Sequence, residues 1–97
     1  MKIIKSMSQK HNELEDDWER LKPKLNKHIP KPDLRLIRLR VINQKDFQEI
    51  GRRFEVTGFK VKQEFIRLVD LIRRKVDKEF ADSIKLYNAI LTAKENN

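Results

Sequence analysis

DFQEIGRRFEVTGFKVKQ, residues 46–63, contains the main signals from which the fold is predicted. A short helix is expected from Asp46 to about Phe54, because its apolar residues recur at helical spacing. The segment 55–58 breaks that pattern, and the Thr57 hydroxyl can cap a second, basic helix. Gly51 has no side chain where two closely crossing helices would touch. Two helices joined by a tight turn are the layout of a helix-turn-helix, whose second helix enters the major groove of DNA.

The residues before this stretch predict an N-terminal helix and a linker. The apolar residues of this helix recur at intervals of three and four: Leu14, Trp18, Leu21 and Leu25. Trp18 lies on this apolar stripe and is therefore expected in the core. Ser6 or Ser8 can cap the start of the helix, and Pro23 is expected to kink or end it. The segment 29–32, IPKP, favours extended backbone and is expected to form the linker.

The segment 34–42, LRLIRLRVI, follows a candidate N-cap, Asp33, and is compatible with two structures. As a helix it would place three apolar residues on one face: Leu34, Ile37 and Val41. However, residues 37–41 also alternate like a half-buried strand. In that case the chain would form a ribbon-helix-helix dimer, with Arg38 and Arg40 reaching into the DNA groove.

The C-terminal third is predicted to be helical, because residues 59–93 contain no Gly or Pro and their apolar residues keep helical spacing. This spacing leaves open one helix or two helices joined near Asp77. The end of the stripe would fold back on the first helix or pair with a second subunit: Val76, Phe80, Ile84, Tyr87 and Leu91. We therefore predict one all-α domain of four to five helices. It comprises an N-terminal helix and linker (1–32), a helix-turn-helix unit (33–76) and a C-terminal helix (77–97).

Composition excludes several classes of function. Charged residues make up 39% of the 97 residues, against about 25% in average globular proteins. The chain has no cysteine, which excludes disulfides, thiolate zinc sites and cysteine nucleophiles. It contains no phosphate-binding glycine loop, nucleophile elbow or His-Glu-x-x-His motif, and His11 and His28 lack further ligands at metal spacing. We therefore expect neither an enzyme nor a protein with a cofactor or metal.

The positive charge is concentrated in the middle of the chain. The formal net charge is +8, of which residues 1–32 carry +3, residues 33–80 carry +5 and residues 81–97 carry none. All five acidic residues of the first segment lie within 13–19. Phosphates would repel this acidic patch, so we expect it to face away from any nucleic acid. The basic middle segment makes a polyanion the expected partner.

A family resemblance supports the same interpretation. Residues 46–57, DFQEIGRRFEVT, with 60–63, KVKQ, resemble region four of bacterial sigma factors and of sigma-like phage and plasmid regulators. In that family an acidic-Ile-Gly run, a Phe-x-Val-Thr turn and a basic-apolar-basic-Gln helix start recur. Residues 33–39, DLRLIRL, are similar to the preceding helix of the family. The chain departs from the family pattern at four positions: Glu55, where glycine is usual, Gly58 and Phe59, where charged residues are usual, and Glu64, where an apolar residue is usual.

The resemblance implies a set of DNA-facing residues: Gly58, Phe59, Lys62 and Gln63, with Lys60 alongside. A lysine can donate to guanine, and a glutamine can pair with adenine. Phe59 lies off the apolar stripe and can contact a thymine methyl, a partner protein or the first helix. Thr57 would point the N-terminus of the second helix at a phosphate. Other cations are candidates for phosphate contacts: Lys45, Arg52, Arg53 and Arg67.

We therefore expect a sequence-specific transcriptional regulator that binds double-stranded DNA, of phage or plasmid type. It is expected in the cytoplasm with the nucleoid and not in a membrane, because no signal-peptide core or long apolar run is present. A homodimer would double its DNA contacts. One alternative is an interaction module that docks on RNA polymerase through residues 13–19 and Phe59. The other is a DNA-packaging or relaxosome accessory protein that assembles as a ring or array.

Overall fold

The computed structural model describes residues 7–96, which form five α-helices without a β-strand. In chain order they are α1 (Met7–His28), α2 (Lys31–Val41), α3 (Phe47–Phe54), α4 (Gly58–Lys75) and α5 (Lys78–Glu95). The predicted all-α architecture of four to five helices is confirmed. The alternative strand at 37–41 is wrong, because this segment belongs to α2 and four of its residues are buried: Ile37, Leu39, Arg40 and Val41.

Helix α1 continues through Pro23 to His28, so of the two expected effects of Pro23, a kink or the end of the helix, the second is wrong. Leu21 and Leu25, on either side of the exposed proline, are both buried in the core. Packing on both sides outweighs the loss of one backbone hydrogen bond. Ser8 is the second residue of α1 and not its cap, and Ser6 lies outside the described residues.

The predicted linker at 29–32 is shorter than expected, because α2 already begins at Lys31. Pro30 occupies the N-cap position with extended backbone (φ −58°, ψ 148°), and Pro32 lies in the first turn. A proline there loses no intrahelical hydrogen bond. Asp33 therefore lies inside the first turn and does not cap the helix, although its charge suits the positive end of the helix dipole.

Of the two arrangements that the apolar spacing allowed, the C-terminal third forms two helices, α4 and α5. They are joined next to Asp77, where the second arrangement placed the junction. The Asp77 carboxylate caps α5 by accepting a hydrogen bond from the Phe80 amide at 2.8 Å. The two helices pack against each other as a hairpin.

The buried apolar residues form one cluster to which all five helices contribute. Trp18 is buried, as predicted, and its ring meets Phe80 edge to face with 6.2 Å between centroids. The C-terminal apolar stripe is buried within the chain and packs α5 against α1. Of the two expected uses of this stripe, the structure shows the intramolecular one.

One charged side chain, Arg40 of α2, lies fully buried among these helices, with 0% of its surface exposed. Its guanidinium donates to both carboxylate oxygens of Glu95, at 2.7 and 3.0 Å. It also stacks over the Phe47 ring, 4.3 Å from the centroid. The remaining N–H groups donate to the Asn88 side chain, the Lys45 carbonyl and the Thr92 hydroxyl. Arg40 thus joins α2, α3 and α5, and it cannot reach DNA as the ribbon-helix-helix alternative required.

Candidate nucleic-acid interface

Helices α3 and α4 are joined by a three-residue turn, residues 55–57. The Asp46 carboxylate accepts a hydrogen bond from the Glu49 amide at 2.8 Å and fixes the start of α3. The Thr57 hydroxyl accepts from the Lys60 amide at 3.1 Å and fixes the start of α4. Both helix starts agree with the prediction, because each is set by a capping side chain within the same short stretch.

The two helices approach each other closely at Gly51, which is buried. A Cβ atom at this position would lie 2.5 Å from the Val56 carbonyl oxygen and 3.1 Å from the Gly58 nitrogen. The Gly51 carbonyl accepts a hydrogen bond from the Val56 amide at 2.9 Å. The backbone of the turn therefore fills the space that a side chain would need.

The turn itself contains a strained residue. Glu55 has left-handed backbone angles (φ 58°, ψ 40°), where a non-glycine residue costs about 1–2 kcal/mol. Its carboxylate also lies at the negative end of the α3 dipole. The family pattern has a glycine here, which would avoid both costs.

Replacing Glu55 with glycine is expected to stabilise the protein by about 1 kcal/mol, because glycine adopts positive φ without steric cost. For a domain of this size, the melting temperature should rise by about 4–8 °C. Glu55→Gln removes only the charge and should stabilise the protein by a few tenths of a kcal/mol. Thermal unfolding followed by circular dichroism separates the two effects. A glycine variant that melts at or below the wild-type temperature would contradict the strain argument.

The outward face of α4 carries three of the predicted DNA-facing residues. Phe59 is 71% exposed, so it is not buried against another helix, and Lys62 and Gln63 are also exposed. Ile66 lies on this face as well, with 61% of its surface exposed. The buried side of the helix consists of Val61, Phe65, Leu68, Val69 and Ile72.

Ile66 is the member of this face that sequence reasoning missed. The signal was present, because Ile66 lies off the apolar stripe and follows Phe59 by seven residues, which returns to the same side of a helix. Gly58 does not belong to the exposed face. It lies against Gln48 of α3, whose Cα would be 3.2 Å from an added Cβ atom.

Two predicted cations on α4 share one acidic partner, Glu64. Arg67 donates two hydrogen bonds to the same Glu64 oxygen, at 2.8 and 3.0 Å, and Lys60 lies 3.4 Å from the carboxylate. The Arg67 hydrogen bonds lower the pKa of Glu64 and raise that of Arg67, so both stay charged at neutral pH. Arg67 also approaches Asp33 at 3.9 Å.

Lys45 and Arg53 have a similar shared partner on α3, Glu49, at 3.8 and 3.7 Å. These pairs are substantially exposed and therefore weak, so a phosphate can replace the carboxylate at little cost. Among residues 7–96, Arg52 and Lys62 have no carboxylate within ion-pair distance. They are the cations of this surface whose charge is not already compensated.

The acidic patch, residues 13–19, lies on α1, which packs against α2 and α5. Helix α3, in contrast, packs mainly against α4. The negative charges of the acidic patch therefore lie on α1, which is not part of the α3–α4 pair. Some of them are compensated locally, since Asp17 binds Arg20 at 3.2 Å and Glu19 lies 4.0 Å from Lys22.

No protein-family model, curated protein or solved structure with which we compared the chain matches it. The resemblance to region four of sigma factors thus stays a prediction, and function has to be argued from the α3–α4 surface. None of the helices within residues 7–96 is both long and apolar enough to cross a membrane. In the same part of the chain, no three histidine or carboxylate side chains cluster as metal ligands would.

Proposed function

We propose that the α3–α4 pair is a helix-turn-helix that binds double-stranded DNA, and that the protein is a sequence-specific transcriptional regulator of the sigma region-four type. The observation that carries the proposal is the close crossing at Gly51, which leaves the first turns of a capped, basic α4 exposed. A recognition helix needs this arrangement to enter the major groove. The net charge of +8 supplies the attraction to phosphate.

The polar residues and the glycine of the surface each have a role in this proposal. Lys62 and Gln63, exposed on α4, read base edges. Arg52 is exposed on α3, has no carboxylate partner among residues 7–96 and binds a phosphate directly. The paired cations bind phosphates by exchanging their glutamate partners: Lys45, Arg53, Lys60 and Arg67. Gly58 and Thr57 hold α4 close to α3 and fix its start.

A second copy of the chain would strengthen binding, because one recognition helix contacts few base pairs. The C-terminal stripe is buried within the chain, so a homodimer would have to use another surface. Sedimentation equilibrium tests this part of the proposal: a single species of 11.7 kDa at high protein concentration would contradict it.

The proposal is tested by selecting binding sites from random duplex DNA and then measuring affinities by fluorescence anisotropy. If about six phosphates are neutralised, log affinity should fall with log salt concentration at a slope of about −5. Lys62→Ala should weaken binding to the selected site about tenfold, as loss of a good base contact does. No enrichment, together with no binding at ~50 mM salt, would show the proposed function to be wrong.

Lys24→Ala is the matched control, because Lys24 is exposed on α1 and its loss changes the net charge equally. This control should stay within about twofold of the wild type, since a surface charge on a helix outside the α3–α4 pair acts only through the screened field. Equal losses for both variants would mean that α4 is not the recognition helix.

A second candidate function is docking on RNA polymerase, favoured by the exposed Phe59 and Ile66 on α4. Contact with a protein would bury these two apolar side chains. It predicts co-purification with RNA polymerase that survives nuclease treatment, with no shift of duplex DNA at ~50 mM salt.

A further inference from the structure

We infer that the outward face of α4 recognises thymine methyl groups, so that the protein prefers adenine–thymine over guanine–cytosine base pairs. The inference rests on the proposed function, because it concerns the same DNA-binding helix. It names the bases that this helix selects.

The evidence is a pair of apolar side chains on a face that should otherwise be polar. Phe59 and Ile66 are 71% and 61% exposed on α4, and Ile66 also borders the groove between α4 and α5. With about 100° and 1.5 Å per residue, they lie about 20° apart around the helix and about 10.5 Å apart along it. That spacing corresponds to about three base pairs at 3.4 Å each.

The thymine methyl is the apolar group that base pairs present in the major groove. A phenyl ring or a branched alkyl group makes no hydrogen bonds, so it gains most by covering this methyl group. Gln63 lies between the two apolar side chains along α4, and a glutamine can pair with the N6 and N7 atoms of adenine. All three side chains therefore favour the same kind of base pair.

The surroundings favour duplex DNA over an apolar protein surface as the occupant. Lys60, Lys62 and Arg67 flank the two apolar residues on the same helix. Such a rim complements the phosphates on both sides of a groove. Arginine is the usual reader of guanine, but Arg67 lies about 100° around the helix from Ile66 and binds a phosphate in the proposed function. The Lys62 ammonium can donate to the O4 atom of thymine as well as to guanine, so it does not oppose this preference.

The test uses four alternating duplexes of about 24 base pairs, a little over two helical turns. Two contain adenine with thymine or with uracil, and two contain guanine with cytosine or with 5-methylcytosine. Uracil lacks only the methyl group, and 5-methylcytosine adds it. Binding should be about tenfold tighter to the thymine than to the uracil duplex, as covering two methyl groups implies. Methylation of cytosine should also tighten binding.

The variants Phe59→Ala and Ile66→Ala assign this discrimination to the two side chains. Both positions are largely exposed, so the fold should be retained. Each variant should bind the thymine and uracil duplexes with affinities that differ by about threefold or less, because one methyl contact remains. Leu86→Ala is the matched control, since Leu86 is 54% exposed on α5 and should not affect the discrimination.

The failures of the inference and of the proposed function are distinguishable. If the protein binds the thymine and uracil duplexes equally, the inference is wrong although DNA binding stands. If Phe59→Ala weakens binding to the thymine and uracil duplexes equally, the ring contacts something other than methyl groups, and the inference is again wrong. If none of the four duplexes binds at ~50 mM salt, the proposed function fails. Nuclease-resistant binding to RNA polymerase that is lost in Phe59→Ala would then assign this face to a protein.

Discussion

Replacing Arg40 with alanine is expected to lower the free energy of unfolding by about 3–5 kcal/mol, the loss typical of breaking a buried, hydrogen-bonded ion pair. The variant loses the ion pair with Glu95 and the stacking on Phe47. It also leaves Asn88 and Thr92 without the donor that they bind, next to the cavity left by two methylene groups and the guanidinium. The free energy of unfolding of small domains is only about 5–15 kcal/mol, so this loss would remove a large part of the stability.

Two further variants separate this network from a general charge effect. Arg38→Ala changes the same residue type two positions earlier, where the exposed side chain lies 5.9 Å from the Trp18 ring, and should cost less than about 1 kcal/mol. Glu95→Gln should cost clearly more than Arg38→Ala, because the fully buried Arg40 cation loses its counter-charge although an amide still accepts a hydrogen bond. Urea unfolding measures all three. Equal losses for Arg38→Ala and Arg40→Ala would show that Arg40 does not hold the helices together.

The contrast between Arg38 and Arg40 shows where prediction from sequence stops. Both arginines lie in the same alternating run, and a strand would have put them on one face. In the helix, however, Arg40 follows Leu36 by four residues and Ile37 by three, which places it on a buried side. This spacing can be read from the sequence, but the hydrogen-bond partners of Arg40 cannot. Asn88, Thr92 and Glu95 lie far along the chain, and local periodicity carries no information about them.

The elements that were predicted correctly are those set by nearby residues. The starts of α3 and α4 depend on Asp46 and Thr57, each of which caps an amide three residues later. The continuation of α1 through Pro23 depends instead on burial of Leu21 and Leu25 against other helices. Tertiary packing of this kind overrides local helix propensity, so a sequence pattern alone underestimates the length of α1.

The candidate site divides in the same way. Lys62 and Gln63 were placed on the exposed face because the resemblance and the helical spacing agree there. The contact of Phe59, which departs from the family pattern, was left open. The sharing of Glu49 and Glu64 by the neighbouring cations was not predicted. Ion pairs depend on the side-chain conformations of several residues at once, and each charge has several partners within reach. The sequence therefore does not determine which pairs form.

Gly51→Ala is expected to destabilise the protein by about 3 kcal/mol, at the upper end of the cost of overpacking a core. The added Cβ atom would lie 2.5 Å from the Val56 carbonyl oxygen, which is a backbone atom and cannot rotate away. The turn and the start of α4 would therefore have to move away from α3. Gly51 has no positive φ, so the change strains no backbone angle, and lack of space is its cause.

Gly58→Ala is the control, because it makes the same chemical change in the same helix pair. Its Cβ atom would lie 3.2 Å from the Cα and Cγ atoms of Gln48, a contact that a shift of a few tenths of an ångström relieves. The higher helix propensity of alanine, worth up to about 1 kcal/mol, offsets this contact. The two substitutions should thus differ by about 2 kcal/mol or more in urea unfolding.

The displacement of α4 in Gly51→Ala should also weaken DNA binding. At a temperature where this variant is still folded, α4 would be displaced from α3, and Lys62 on α4 could no longer contact a groove while Arg52 on α3 contacts a phosphate. Affinity for selected duplex DNA should then fall about tenfold or more, as misplacement of a base-reading residue implies. A folded Gly51→Ala variant that binds DNA like the wild type would show that the crossing at Gly51 does not position the recognition helix.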